Sequence, residues 1–192
     1  MHKQRLEAFS DGVIAIIITI MVLELKVPHG EALSDLAALV PIFIGYVLSF
    51  VFVAIYWNNH HHLLQATQKV NGKILWANMH LLFWLSLLPF TTSWMGEHIF
   101  ASTPVILYGI NLLFCAIAYT ILAKQLVAHH GPGSSLANAM GSDTKGLASL
   151  ALYALAVIIA FWFPIVAYII YAAVALIWLI PDHRIEKELK RS

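Results

Sequence analysis

Charge is what this chain has least of. Of its 192 residues only 11% are Asp, Glu, Lys or Arg, while 60% are hydrophobic. A soluble globular domain carries about 25% charged residues. With a mean hydropathy of +0.80, the composition excludes that class and calls for an integral membrane protein. The net charge of +1 gives no footing for nucleic acid, which is bound through clustered Lys and Arg. Cysteine is nearly absent: Cys115 is single, so no intrachain disulfide is possible. A glycine-rich phosphate loop, a His-Glu-x-x-His pair and a Ser/His/Asp set around a cavity are all missing, so no enzyme is expected. The Thr-Val-Gly-Tyr-Gly filter of carbonyl-lined potassium channels is missing as well.

Long apolar runs are what the chain has most of. A helix needs roughly 20 mostly apolar residues to cross a bilayer, and such runs cover about 6–26, 36–58, 74–95 and 103–126. The stretch 147–180 holds no charged residue. As one helix it would be roughly 51 Å long, against a hydrocarbon core of about 30 Å. Pro164 sits at its middle and disfavours helical geometry in Phe163. The reading is two short spans, 147–163 and 165–180, joined by a tight turn; the rival is one kinked, tilted helix. The expected architecture is all-α, with six transmembrane helices in a single subunit. A cytoplasmic linker over 127–146 and a cytoplasmic tail over 181–192 complete it. The first run leads into Glu24-Leu25-Lys26 rather than a small-residue cleavage site, so it is read as a retained signal-anchor span.

The few charges are unevenly placed. With six spans, Lys3, Arg5, Lys69, Lys73, Lys124, Lys145, Arg184, Lys187, Lys190 and Arg191 fall on one side, and Lys26 alone falls on the other. The positive-inside rule then puts both termini in the cytoplasm.

The sequence opens with Arg5-x-x-x-Phe9-Ser10-Asp11 at the mouth of the first span. An ionisable pair at a membrane span is a functional-site hypothesis by default; the plainer reading is a topology marker and a dipole-favoured helix residue. Ile16, Ile20 and Leu23 follow i, i+4, i+7 spacing, with Thr19 one position away, and Gly12, Phe9 and Arg5 continue the stripe inward. Such a stripe is either a packing or lipid-facing surface or a pore wall, where apolar rings can close by dewetting. Just beyond it, Glu24 is either an acidic ring at an outer mouth, concentrating cations, or a solvated partner of Lys26.

Ten histidines are present. His60, His61 and His62 end the second span, and His80 lies about two turns into the third. Consecutive helical residues point about 100° apart, so three in a row do not share one metal ion, and no paired set at matching depth is available for haem. Asp11, His80 and the Asn58 to His61 segment lie at similar depth. A buried carboxylate needs donors of that kind. The expectation is a polar cluster of Arg5, Ser10, Asp11, Trp76, Asn78, His80, Asn58 and one of His60 or His61, tying the first span to the second and third. The alternative is a set of separate interfacial polar residues. Metal sites and bound cofactors are not expected.

These residues resemble a family. Arg5-x-x-x-Phe9-Ser10-Asp11, Tyr56-Trp57-Asn58-Asn59-His60-His61 and Leu87-Leu88-Pro89-Phe90-Thr91 are similar to the transmembrane protein 175 family, the endosomal and lysosomal potassium channels and their bacterial relatives. The resemblance implies a six-helix subunit in a homotetramer with a central pore lined by the first helix. It implies Ile16 as the innermost apolar ring, Ile20 and Leu23 as the next rings, and Thr19 as a hydroxyl layer. Arg5, Phe9, Ser10 and Asp11 would hold helices together rather than touch the ion. The implied function is passive, potassium-selective permeation in a bacterial plasma membrane, with K+ and other monovalent cations, lipid and further copies of the chain as partners. The alternative from the residues alone is a small transporter or metal-handling protein using the histidine-rich second and third spans.

Overall fold

The computed structural model describes residues 3–67, 69–131, 134, 136–137 and 143–179. Helix α1 is Lys3–Leu23, and a 3-10 helix, Leu33–Leu39, leads into α2, Val40–Gln65. Then come α3, Gly72–Ser86; α4, Leu88–Glu97; α5, Ser102–His130; α6, Thr144–Ile159; and α7, Pro164–Leu179. Among the described residues, four stretches are long and apolar enough to cross a membrane: Lys3–Leu23, Leu33–Gln65, Gly72–Glu97 and Ser102–His130, with α6 and α7 as two shorter apolar helices.

The third of these spans is not continuous. Pro89 has no N–H to return to the Leu85 carbonyl, and its ring crowds that carbonyl. Helix α3 therefore closes at Leu87, whose N–H meets the Leu85 and Trp84 carbonyls, and α4 starts afresh with Pro89 in its first turn. The run expected as one span over 74–95 is thus two helices. Helix α4 then crosses the start of α2 at Gly96, where a Cβ would stand only 2.9 Å from Ile42 Cα.

Pro164 acts at the other interruption. Ala160–Phe163 form a turn, Val166 N–H bonds the Phe163 carbonyl, and α7 returns beside α6. At 16 residues each, α6 and α7 are about 24 Å long, short of a 30 Å core. The turn between them exposes Phe161, Trp162 and Phe163, side chains suited to the interfacial level where a short hairpin ends.

Helix α5 is the central post, packed against α3, α4, α6 and α7. Val105, Tyr108, Leu112, Cys115, Ala118 and Leu122 are fully buried along it. Gly109 opens room for Tyr171 of α7, whose hydroxyl donates to the Val105 carbonyl at 3.3 Å. The linker expected over 127–146 is partly helical instead, because α5 runs on to His130. The expected tail, 181–192, and Ile180 lie outside the described residues.

Candidate pore helix and its polar anchor

Helix α1 has two unlike faces. Leu6, Ser10, Ile14, Ile17 and Met21 recur at i+4, i+4, i+3, i+4 and are buried against α2, α3 and α4. The opposite face carries Arg5, Phe9, Gly12, Ile16, Thr19, Ile20 and Leu23, and all seven are exposed. Ile16 keeps 59% of its surface and Leu23 74%, although both lie in an apolar span. A Cβ placed on Gly12 would meet nothing within 4 Å. Thr19 donates its hydroxyl hydrogen to the Ala15 carbonyl at 2.9 Å. That back-bond fixes the hydroxyl and leaves its lone pairs free to accept.

The buried face is held by a hydrogen-bond chain. His60 Nε2 lies 2.7 Å from Asn78 Oδ1. Asn78 Nδ2 donates to Ser10 Oγ at 2.9 Å, and Ser10 Oγ donates to the Leu6 carbonyl at 2.8 Å. With the Asn78 amide donating to Ser10, its oxygen is left to accept, so His60 carries hydrogen on Nε2. Ser10 and Asn78 are fully buried and His60 is 1% exposed. One polar line thus joins α1, α3 and α2.

A second set of contacts aligns α1 with α2. Trp57 Nε1 donates to Asp11 Oδ1 at 3.0 Å. His61 stacks on Trp57, with planes 16° apart, and sits 3.5 Å from Glu7 Oε1. Lys3 Nζ donates to the Leu64 and Gln65 carbonyls at 3.1 and 3.3 Å, capping the negative end of α2. Each four-residue step down α1, from Asp11 to Glu7 to Lys3, is matched by a step of about four residues up α2. The spacing puts successive partners on one face of each helix, and the helices run antiparallel in fixed register.

The structure therefore brings together Ser10, Asn78 and His60, and separately Asp11 with Trp57 and Glu7 with His61. It does not bring His80 or Trp76 to them. His80 Nε2 accepts from Trp84 Nε1 at 2.9 Å, Trp84 stacks on Phe114 of α5, and Trp76 is 79% exposed. The reason is helical phase: two residues from Asn78 is about 200° round the helix, so a residue beside Ser10 and one two positions later face opposite ways. Asn58 is exposed, as is Arg5, which engages no other side chain among the described residues. Trp57, Glu7 and Lys3 were missed. Their signal was present as i, i+4 pairs: Trp57 with His61, and Glu7 with Asp11.

At the other end of α1, Lys26 bonds Glu97 at 2.7 Å rather than Glu24. The hydrogen bond to the Glu97 carboxylate raises the Lys26 pKa. Glu24 is exposed and forms no ion pair among the described residues. Among those residues, no three His, Cys, Asp or Glu side chains gather as a metal-holding group; His60, His61 and His80 each turn to a different partner.

A family profile described as endosomal/lysosomal potassium channel TMEM175 matches residues 5–89, the stretch that carries α1 and its anchor. A relative from Chryseobacterium sp. (strain P1-3), named a potassium channel, is 56% identical over all 192 residues, covering 100% of both chains. The chain belongs to the TMEM175 family. This is a family of channels, not of enzymes. A zebrafish (Danio rerio) relative, named an endosomal/lysosomal proton channel, is 32% identical over 135 residues, 67% of this chain and 25% of its own. The fold is also that of a crystal structure described as a lysosomal potassium-selective channel TMEM175 homolog from Chamaesiphon minutus. The TM-score is 0.82 at 25% identity, covering 94% of this chain and 97% of the other.

Proposed function

We propose that this chain is the subunit of a potassium-selective cation channel, a homotetramer whose pore is lined by the exposed face of α1. The single observation that carries the reading is that face: a transmembrane helix anchored by one side, with an unbroken stripe from Arg5 to Leu23 left open on the other. The potassium-channel names of the Chryseobacterium and Chamaesiphon relatives support it. In the proposed pore, Ile16, Ile20 and Leu23 form apolar rings over about 10 Å of axis, and Thr19 sits between them. Apolar rings offer no oxygens, so an ion sheds water to pass. Potassium holds its shell less tightly than sodium and loses less. Four Thr19 oxygens, their hydrogens already committed to Ala15, replace part of that water. Discrimination by such a filter is modest compared with a carbonyl cage.

Glu24, left unpaired by the Lys26–Glu97 bridge, forms an acidic ring at the outer mouth and raises local cation concentration. Ser10, Asn78, His60, Asp11 and Trp57 hold the inner half of the pore helix in place without meeting the ion. Arg5, exposed on the pore-side stripe, is left to act between subunits. Both termini lie in the cytoplasm, following the basic side chains, and the membrane is a bacterial plasma membrane.

The zebrafish relative's name makes proton permeation the second reading. Purified protein in planar bilayers separates the two. Under opposed potassium and sodium gradients the reversal potential moves towards the potassium potential. If it follows an imposed pH gradient instead, the channel is a proton channel. Saturable, metal-dependent uptake without unitary currents would make the protein a transporter.

A further inference from the structure

The residues that left the anchor, Trp76 and His80, line a feature that permeation does not use. A groove of about 820 Å³ runs between α3 and α5. Its walls include Lys73, Trp76, His80, Ile121 and Gln125, and no carboxylate is among its described lining residues. The hydrogen-bonding groups it offers are mostly donors: the Lys73 ammonium, the Gln125 amide and the Trp76 indole. His80 adds to them. Its Nε2 is occupied as acceptor from Trp84, so the neutral ring carries its hydrogen on Nδ1. Lys69 and Lys124 are exposed at the same end of the subunit, and the acidic side chains there among the described residues are engaged, Glu7 by His61, Asp11 by Trp57 and Asp143 by the Gly146 N–H.

Depth distinguishes the groove from a generic basic surface. Lys73 opens α3, and His80 lies about 10 Å further along it. The groove therefore starts at headgroup level and descends into the hydrocarbon, where Ile121, Met79 and Phe83 are exposed. A donor-lined upper part above an apolar lower part is the shape of a phospholipid, and an exposed indole at that level is an interfacial anchor. We infer that the α3–α5 groove is a binding site for one anionic glycerophospholipid of the leaflet at the basic end, its phosphate held by Lys73 and Gln125.

The test uses the full-length channel, exchanged into micelles holding equal phosphatidylglycerol and phosphatidylcholine and examined by native mass spectrometry. Phosphatidylglycerol is retained in preference. Lys73→Gln lowers its affinity about fivefold, the contribution of one lysine near a membrane surface, and Trp76→Ala lowers retention of both lipids. Lys26→Gln, at the opposite end, changes nothing. Unchanged thermal unfolding of Lys73→Gln keeps the comparison valid, and Gln125→Glu serves as a second probe that repels the phosphate. Equal retention of the two lipids, or retention indifferent to Lys73→Gln and Gln125→Glu, overturns the site. So does displacement by millimolar inorganic phosphate, which would make the ligand a free anion. A groove filled by another protein segment would retain neither lipid, and that result also overturns it.

Discussion

Asn78→Leu is the sharpest perturbation of the anchor. The side chain is fully buried, and leucine branches at the same atom but neither donates nor accepts. The substitution removes the acceptor of His60 Nε2–H and the donor to Ser10 Oγ. An orphaned buried donor costs about 1–3 kcal/mol. Ser10 loses less, because its own hydrogen still goes to the Leu6 carbonyl. Hydrogen bonds between membrane helices average only about 0.6 kcal/mol in double-mutant cycles, which pulls the estimate down. The expected loss is about 2 kcal/mol, or a fall in Tm of about 4–8 °C for a chain of this size. The assay is thermal unfolding of the reconstituted protein, with a cycle of Ser10→Ala and Asn78→Leu. The two share a bond, so their losses do not add, and a coupling of about 0.6–1.7 kcal/mol is expected. The matched cycle of Asp11→Asn and His80→Ala should add within about 0.5 kcal/mol, since those residues bond separate tryptophans. Additive losses for Ser10 and Asn78, or strong coupling between Asp11 and His80, would refute the anchor.

Other consequences are open to measurement. Cysteines placed at Ile16, Thr19 or Leu23 should react with charged thiosulfonates and block current, while cysteines at Ile17 and Met21, on the buried face, should stay silent. The native Cys115 is fully buried and needs no removal; reaction at Ile17→Cys with none at Ile16→Cys would reverse the assignment of faces. Gly109→Ala drives a methyl into the Tyr171 hydroxyl and Val157 and should cost about 1–3 kcal/mol, partly regained with Tyr171→Phe; an unchanged Tm would show that α7 yields freely. Glu24→Gln should lower potassium conductance at low ionic strength and lose its effect near 1 M salt, where the Debye length is about 3 Å. A conductance unaffected at low salt removes Glu24 from the mouth.

The stripe of Ile16, Ile20 and Leu23 was legible because a period of 3.6 is written directly into its spacing, but Ile14, Ile17 and Met21 carry the same period, so spacing alone does not tell the buried face from the open one. The turn at Pro164 was legible too, since a charge-free stretch of that length has one good breaking point. The break at Leu87 was equally marked by Pro89, yet the apolar character on both sides carried the span through it. The polar cluster was half legible. Depth along the membrane follows from residue number, so Ser10, Asn78 and His60 could be placed at one level. Facing does not follow from depth: His80 shares the level of Asn78 but points about 200° away from it, to Trp84. The Lys26–Glu97 bridge could not be read, because it joins loop and helix end across an interhelical packing that no local spacing records.

With the open face of α1 as the proposed ion path and its apolar rings as the filter, selectivity rests on Ile16 and Thr19. The most direct test is the potassium-to-sodium permeability ratio, taken from reversal potentials of single channels in planar bilayers, for the native chain, Ile16→Asn and Thr19→Ala. A ratio above one is expected for the native channel and a fall towards one in both variants, as Ile16→Asn supplies oxygens where water had to be shed and Thr19→Ala removes the oxygens that favoured potassium. Persistent currents with an unchanged ratio in both variants would contradict it.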